Sequence, residues 1–462
     1  VSGAGSANGA AANGGEGESG AGRHPRDRLR RQLSLQDAVF LVVASVVGSG
    51  IFLTPGVIAG QLPHAGLILL AWGVGGLLSL AGALANAELG AMFPRAGGDY
   101  VFLREAFHPL AGFLVGWLTF FAIYAGSVAT LAVGFAASLG EIFGWSGTAP
   151  VVGAAIVTIA ACSALNWIGV RWGALANNIT GWIKVLAIVA FCVVAPFSGE
   201  GDLRNLLPLV HGAFDAAPLS AFALAMSPVL FSYLGWNATV YVASELRNPA
   251  RNIPRSLFLG LALCTALYLA INCLYLTALP PAALAQTENA AEASAQVFFG
   301  DVGGRLFSAF VLVSILGTLN ATILAGPRVA YAMALDGLSL PFVDRVHPAY
   351  ATPSAAIVLQ AVIAVALVAL FQTFQSNLDF TTFGILLASA ADVAALYALR
   401  LRQPGRLRPY RAWGYPLVPA LYAAAILSIA AALAVGRSQE ALVSLAVIAA
   451  GVPVYWLLAR RA

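Results

Sequence analysis

Charge is scarce in this chain. Only 10% of its 462 residues are Asp, Glu, Lys or Arg, against 60% hydrophobic. A soluble globular domain carries about a quarter charged residues, so the composition excludes that class and leaves a polytopic membrane protein. Cysteine is scarcer still. Cys162, Cys192, Cys264 and Cys273 all fall inside long apolar runs, which excludes an extracellular disulfide framework and casts them as small core residues. The five histidines, His24, His64, His108, His211 and His347, lie near the ends of those runs or between them and never at metal-ligand spacing, so no metal is expected. No Gly-rich phosphate loop of Walker type occurs, and no Ser/His/Asp or Cys/His set shares one membrane depth. An ATP-driven pump and a membrane enzyme both lose their support, and neither catalytic residues nor a cofactor are predicted.

Long apolar runs are what the chain has in abundance. Segments of about 20 residues, the length a helix needs to cross the hydrocarbon core, recur twelve times: 38–60, 66–92, 107–140, 149–169, 173–197, 218–244, 255–279, 303–334, 353–372, 379–400, 413–435 and 439–459. Arginine placement orients them. With both termini on one side, twenty arginines fall on that side and three, Arg204, Arg305 and Arg437, on the other. The positive-inside rule then predicts cytoplasmic termini in a cytoplasmic membrane, and it accounts for the net charge of +4 without invoking a nucleic-acid partner. Residues 1–31 are Gly, Ala, Ser and Asn leading into an arginine cluster, too poor in apolar surface to fold. No cleavable signal pattern is present, because the first apolar run is too long and no small-residue cleavage site follows it. The expected organisation is a disordered cytoplasmic tail over 1–33, five spans in 34–200, five in 201–402 and the last two in 403–462.

Lysine occurs once among the 24 Lys and Arg residues. Lys184 sits near the middle of the fifth run. At about 1.5 Å of rise per residue it lies roughly 18 Å from both Trp172 and Phe197, too far to snorkel to either surface. It must find partners inside the protein. A buried ionisable group in a membrane helix is a functional candidate, and lysine, unlike arginine, can release its proton when desolvated.

Two of the runs carry weak points in matching places. The first contains Gly48-Ser49-Gly50 and the sixth is bracketed by Pro228 and Gly235, so each opens a half of five spans with a broken helix. Such matched interruptions point to a transporter built from inverted repeats, with the binding site between them. Unwinding at Gly48-Ser49-Gly50 aims free N–H groups at the positive end of a helix dipole, which suits a carboxylate. Free carbonyls near Val46, Phe231 and Ser232 suit an ammonium group. One site with both features binds an α-amino acid zwitterion.

Several motifs carry a family resemblance. Gly48-Ser49-Gly50-Ile51-Phe52, Tyr233-Leu234-Gly235-Trp236-Asn237, the segment from Glu245 to Pro254, Thr318-Leu319-Asn320-Ala321, His347-Pro348 and Gly451-Val452-Pro453-Val454-Tyr455 follow one another in an order that resembles the amino acid-polyamine-organocation superfamily. Within it the chain is similar to the L-type amino acid transporters and their bacterial homologues, over roughly residues 34–459. The resemblance implies an all-α polytopic membrane protein of the LeuT-type 5+5 inverted repeat, with twelve transmembrane helices and the first and sixth unwound at mid-membrane. It implies that Ser49 and Gly50 hold the substrate carboxylate and that Val46, Phe231 and Ser232 hold its amine through backbone carbonyls. By the same resemblance Phe231 is the aromatic gate and Tyr268 lines the cavity from the seventh span. Lys184 matches a fifth-span lysine that, in sodium-independent members, places its ammonium where sodium-coupled relatives of the fold hold a sodium ion, with Ser314 or Thr318 as its hydroxyl partner.

One residue departs from the pattern. Where carriers of large neutral amino acids tend to have glycine before the Gly-Trp pair, this chain has Leu234. Facing the cavity it would remove space and favour alanine, serine or glycine; facing outward it would mean nothing for specificity. Animal members often pair with a glycoprotein subunit through a cysteine between spans three and four, and 139–151 contains none, so no disulfide-linked heavy subunit is expected. Among the remaining polar residues, Glu88 reads as a salt-bridged acid at the end of the second span, Asp392 as a helix-end partner for Arg400 or a packing group in preference to a proton relay, and Glu245 with Arg247 as part of a loop network.

The expectation is a sodium-independent secondary transporter of neutral L-amino acids, small ones preferred, with Lys184 tying the fifth span to the unwound first span near Val46 and Val47. If Lys184 stays charged the protein is an exchanger; if it releases its proton it is a proton symporter, and the chain leaves both open. The rivals are a cationic amino acid or polyamine carrier, which should offer a carboxylate that neither break supplies, and a non-transporting nutrient receptor on the same fold.

Overall fold

The computed structural model describes residues 31–168, 170–207, 219–339, 342–343, 345–350 and 352–459. The disordered tail expected at the N-terminus lies, up to residue 30, outside the described residues. Among the described residues there is no strand; the one extended pairing is a bridge between Leu33 and Leu246.

The first span is two helices, α1 (Leu35–Val46) and α2 (Gly50–Gln61). A capping box starts α1: the Ser34 hydroxyl accepts from the Asp37 N–H while the Asp37 carboxylate accepts from the Ser34 N–H. The second span is α3 (Ala65–Met92), and a short helix, α4 (Asp99–Ala106), follows it between spans. The third runs through α5 (Pro109–Leu118), a π-helical turn at Thr119–Tyr124, and α6 (Ala125–Phe143). Then come α7 (Thr148–Ile168) and α8 (Val170–Val194). The sixth span is broken again, into α9 (Leu219–Ser232) and α10 (Ala238–Tyr241). The second half continues with α11 (Pro249–Ala278), α12 (Ala290–Leu335), α13 (Ser354–Phe371) and α14 (Phe374–Arg402), and the chain closes with α15 (Leu417–Gly436) and α16 (Ser438–Ala459).

Counting α1 with α2 and α5 with α6, eleven helices among the described residues are long and apolar enough to cross a membrane. The twelfth expected span is the broken sixth, whose apolar part, Leu219–Ser232, is too short by itself. The fold is an all-helical membrane bundle among the described residues, with the first and sixth spans interrupted, as expected. The expected eighth span, 303–334, is the part of α12 that follows Gly300, whose φ of 68° separates it from a preceding segment that begins at Ala290.

Burial sorts the spans into centre and rim. In the most apolar stretch of each, 89% of the first span and 78% of the third are buried, but only 22% of α7, 28% of α8 and 22% of α16. The first span therefore lies in the middle, and α8 lies at the edge with Ile179, Trp182, Ile183 and Leu186 turned outward. All four cysteines are free, Cys264 buried and the others half-buried, as small core residues would be.

Where the arginines gather, acids meet them. Glu88 is fully buried, accepts from Arg400 at 2.6 Å and forms an ion pair with Arg408 at 3.2 Å. Glu245 pairs with Arg328 at 3.1 Å, not with Arg247, while its carbonyl receives the Gln32 and Leu33 N–H groups. Arg400 is thus committed to Glu88, so of the two expectations for Asp392 the pairing with Arg400 is not made, and the side chain is a buried polar group that accepts from Asn86.

Candidate substrate and coupling site

The two broken helices meet at their breaks. Val47, Gly48 and Ser49 leave the helix, Val47 at φ −74°, ψ 87°, and the chain re-enters it at Gly50. A Cβ on Gly50 would stand 2.4 Å from Ser232 Oγ and 2.6 Å from Ser232 Cα, so only glycine lets α2 approach α9 this closely. Gly235, at φ +97°, turns the chain out of α9 against Ser45. The first N–H groups of α2 have no partner within the helix and form the positive end of its dipole. Beside them Ser49 is fully buried, and its hydroxyl has no partner.

Tyr268, expected on the cavity wall, is corrected to a place behind it. It is fully buried, and its hydroxyl lies 2.7 Å from the Val46 carbonyl and 2.8 Å from the Ser232 carbonyl, clasping one break to the other. Each carbonyl oxygen has two lone pairs, so both keep capacity for an amine. Thr54 adds a further link, its hydroxyl donating to the Gly50 carbonyl at 2.8 Å and standing 3.1 Å from Ser232 Oγ.

Lys184 turns inward from an otherwise outward-facing helix and is 1% exposed. Its ammonium donates to the Val47 carbonyl at 2.6 Å, the Ala44 carbonyl at 3.0 Å and Thr318 Oγ1 at 2.7 Å. Three donors meet three neutral acceptors. The Ala44 carbonyl belongs to the last turn of α1 and the Val47 carbonyl follows it at the C-cap, where the helix dipole is negative and a cation is favoured. Ala44 stands where the sequence pointed to Val46. Of the two hydroxyl candidates Thr318 takes the ammonium, and Ser314 instead lies 3.5 Å from the Val47 carbonyl.

A cavity of about 710 Å³, open solvent at its mouth included, lies between the breaks. Val46, Ser49, Gly50, Phe231, Ser232 and Leu234 all stand on its wall. Phe231 is 5% exposed and meets Phe374 edge-on, with ring centroids 6.2 Å apart. The wall also includes Asp99, Tyr124 and Tyr241, which sequence reasoning missed. Asp99 belongs to a segment that reads as a loop between spans. The signal that could have found it is Gly97-Gly98 just before it, both at positive φ, which fold α4 back under the cavity. Asp392 stands close by, accepting from the Asn86 amide at 2.8 Å.

Two broken helices around a cavity, in a bundle of membrane-spanning length, are the arrangement of a polytopic membrane transporter. The chain belongs to the amino acid permease family, whose family model matches residues 33–458. It is 31% identical over 445 residues to the serine/threonine exchanger SteT of Bacillus subtilis, covering 95% of this chain and 99% of that protein. It is 29% identical to the human b(0,+)-type amino acid transporter 1 over 83% of this chain and 79% of the relative, and 28% identical to the mouse Asc-type amino acid transporter 1 over 94% and 82%.

Proposed function

We propose that this chain is a sodium-independent secondary transporter of neutral L-amino acids, small ones by preference, working by alternating access in a cytoplasmic membrane with both termini inside. The observation that carries the reading is Lys184: a buried ammonium on the Ala44 and Val47 carbonyls and Thr318, holding the end of α1 beside a cavity built from two helix breaks. A fixed cation at that place leaves the unwound segment anchored with no metal ion required. The N–H groups at the start of α2 and the Ser49 hydroxyl take the substrate carboxylate, and the Val46, Phe231 and Ser232 carbonyls take its amine. Phe231 gates the site. Leu234 on the wall supports a small substrate, as does the likeness to an exchanger of serine and threonine. The two units that rock against each other are 34–200 and 201–402, with 403–462 outside the repeat, and no disulfide-linked subunit takes part.

Uptake of labelled alanine, serine, leucine and arginine into proteoliposomes tests this, with and without sodium and with and without internal amino acid. The expected result is sodium-independent uptake of alanine and serine well above leucine and arginine. Strict sodium dependence would overturn the role of Lys184, and binding without flux would turn the protein into a receptor. One observation favours a second reading, a cationic amino acid or polyamine carrier: a carboxylate, Asp99, does stand on the wall, although it comes from α4 and not from either break. Preferred uptake of arginine would decide for it.

A further inference from the structure

Asp99 and Asp392 reach each other from α4 and α14, and each is 2% exposed. Their carboxyl groups interact side chain to side chain. One oxygen of each is partnered: Asp99 Oδ2 accepts from the Tyr241 hydroxyl at 2.6 Å, and Asp392 Oδ2 accepts from the Asn86 amide at 2.8 Å. The other oxygen of each, Oδ1, is buried and has no partner. Asp99 also faces the substrate cavity, as do Tyr124 and Tyr241.

The groups around the pair are protic and uncharged. They are the Thr119 hydroxyl 3.5 Å from Asp99 Oδ2, Asn86 from α3, Tyr124 from the π-helical turn, Tyr241 from α10, Tyr422 from α15 and, beside Tyr422, Ser389 from α14. Arg328 is within electrostatic reach of Tyr124, but it is committed to Glu245. Two carboxylates in contact in a low-dielectric place, with no cation between them, do not both ionise. A single proton shared by the pair resolves the repulsion, and each carboxyl has an unpartnered oxygen that can carry it.

We propose that Asp99 and Asp392 form the proton-binding site of this transporter, and that α10 controls how many protons the pair holds. The Tyr241 hydroxyl is the lever. A hydroxyl donating to a carboxylate favours its ionised form. With α10 in place the pair holds one proton and a net charge of −1; with α10 withdrawn it loses that donor and takes a second proton from water, becoming neutral. One proton is thereby bound and released in each cycle of the broken sixth helix, with the amino acid as co-substrate. Burial agrees in sign, since desolvation raises the pKa of Asp99. Lys184 in this scheme is an anchor that keeps its proton, and the coupling ion binds elsewhere.

The inference rests on the transport reading, because it names that transport's coupling ion. The experiment uses the full chain in proteoliposomes with a pH-sensitive dye trapped inside and no internal amino acid. Adding serine outside should acidify the lumen, and Asp392→Asn should reduce the acidification at least tenfold. Tyr241→Phe keeps the ring but removes the donor, and it should move the pH midpoint of uptake to a more alkaline value, a shift that simple loss of packing does not produce. Serine-for-serine counterflow at equal pH, measured in a parallel batch of the same proteoliposomes loaded with serine, separates the two claims. Counterflow in the wild type without acidification would overturn the proton site alone, whereas absent counterflow would overturn the transport reading itself. Acidification by Asp392→Asn at the wild-type rate, a sodium gradient replacing the proton gradient, or arginine uptake that depends on Asp392 would each overturn the proposal.

Discussion

Replacing Lys184 by methionine removes the ammonium while keeping most of the side chain's bulk. The wild-type residue donates to three acceptors, the nearest at 2.6 Å, from a position that is 1% exposed. A hydrogen bond to a charged group contributes about 1.5–3 kcal/mol net, and each ~1.4 kcal/mol is a factor of ten in an equilibrium. Thr318 Oγ1, 2.9 Å from both the Ala44 and Val47 carbonyls, can still serve one of them, so the variant loses the equivalent of at least one charged hydrogen bond. If that bond anchors the unwound segment in the binding-competent arrangement, the competent population falls by roughly 10- to 150-fold and the apparent affinity falls with it. The assay is serine counterflow in proteoliposomes as a function of serine concentration, with the thermal midpoint of the detergent-solubilised protein measured in parallel. Lys184→Met and Lys184→Ala should both transport at least tenfold less at low substrate while remaining folded. Arginine should not restore the rate, because its planar fork does not match three acceptors gathered round one point. A lowered midpoint with unchanged counterflow would mean that the tie is equal in every state of the cycle, and would refute the reasoning.

Leu234→Gly enlarges the cavity at its wall, and the ratio of leucine to serine uptake should rise about tenfold, the order expected from a few methylenes of added space. Gly50→Ala places a Cβ 2.6 Å from the Ser232 backbone, so the breaks must move apart; overpacking of this kind costs about 1–3 kcal/mol, and substrate-induced thermal stabilisation should disappear. For stability against pH, the sign follows from Asp99, whose carboxyl burial holds above the ordinary range. The folded protein keeps that proton at pH values where the unfolded chain has lost it, so the stability it contributes is present below the unfolded pKa and is lost as pH rises through the folded one. Asp99→Asn should therefore melt higher than the wild type at neutral and alkaline pH, with the gap closing toward acid; a gap constant across pH would refute the assignment.

Composition and periodic apolar length were enough to reveal the helical membrane bundle, because backbone polar groups in hydrocarbon have few other ways to be satisfied. The broken helices were legible for the same reason, since Gly48-Ser49-Gly50 and Pro228 with Gly235 weaken a span where water is absent. Lys184 was legible as a lone cation too deep to reach either surface. What the sequence left undetermined was which atoms meet. That the lysine reaches Ala44 and Thr318, that Tyr268 clasps two breaks instead of lining the cavity, and that Arg400 takes Glu88 are matters of helix rotation and crossing, which no local pattern encodes. Asp99 and Asp392 lie 293 positions apart, and neither belongs to a motif. Only the packing of α4 against α14 brings the two carboxyls together, because burial and proximity, the two things that make a carboxyl hold a proton, are properties of the assembled bundle.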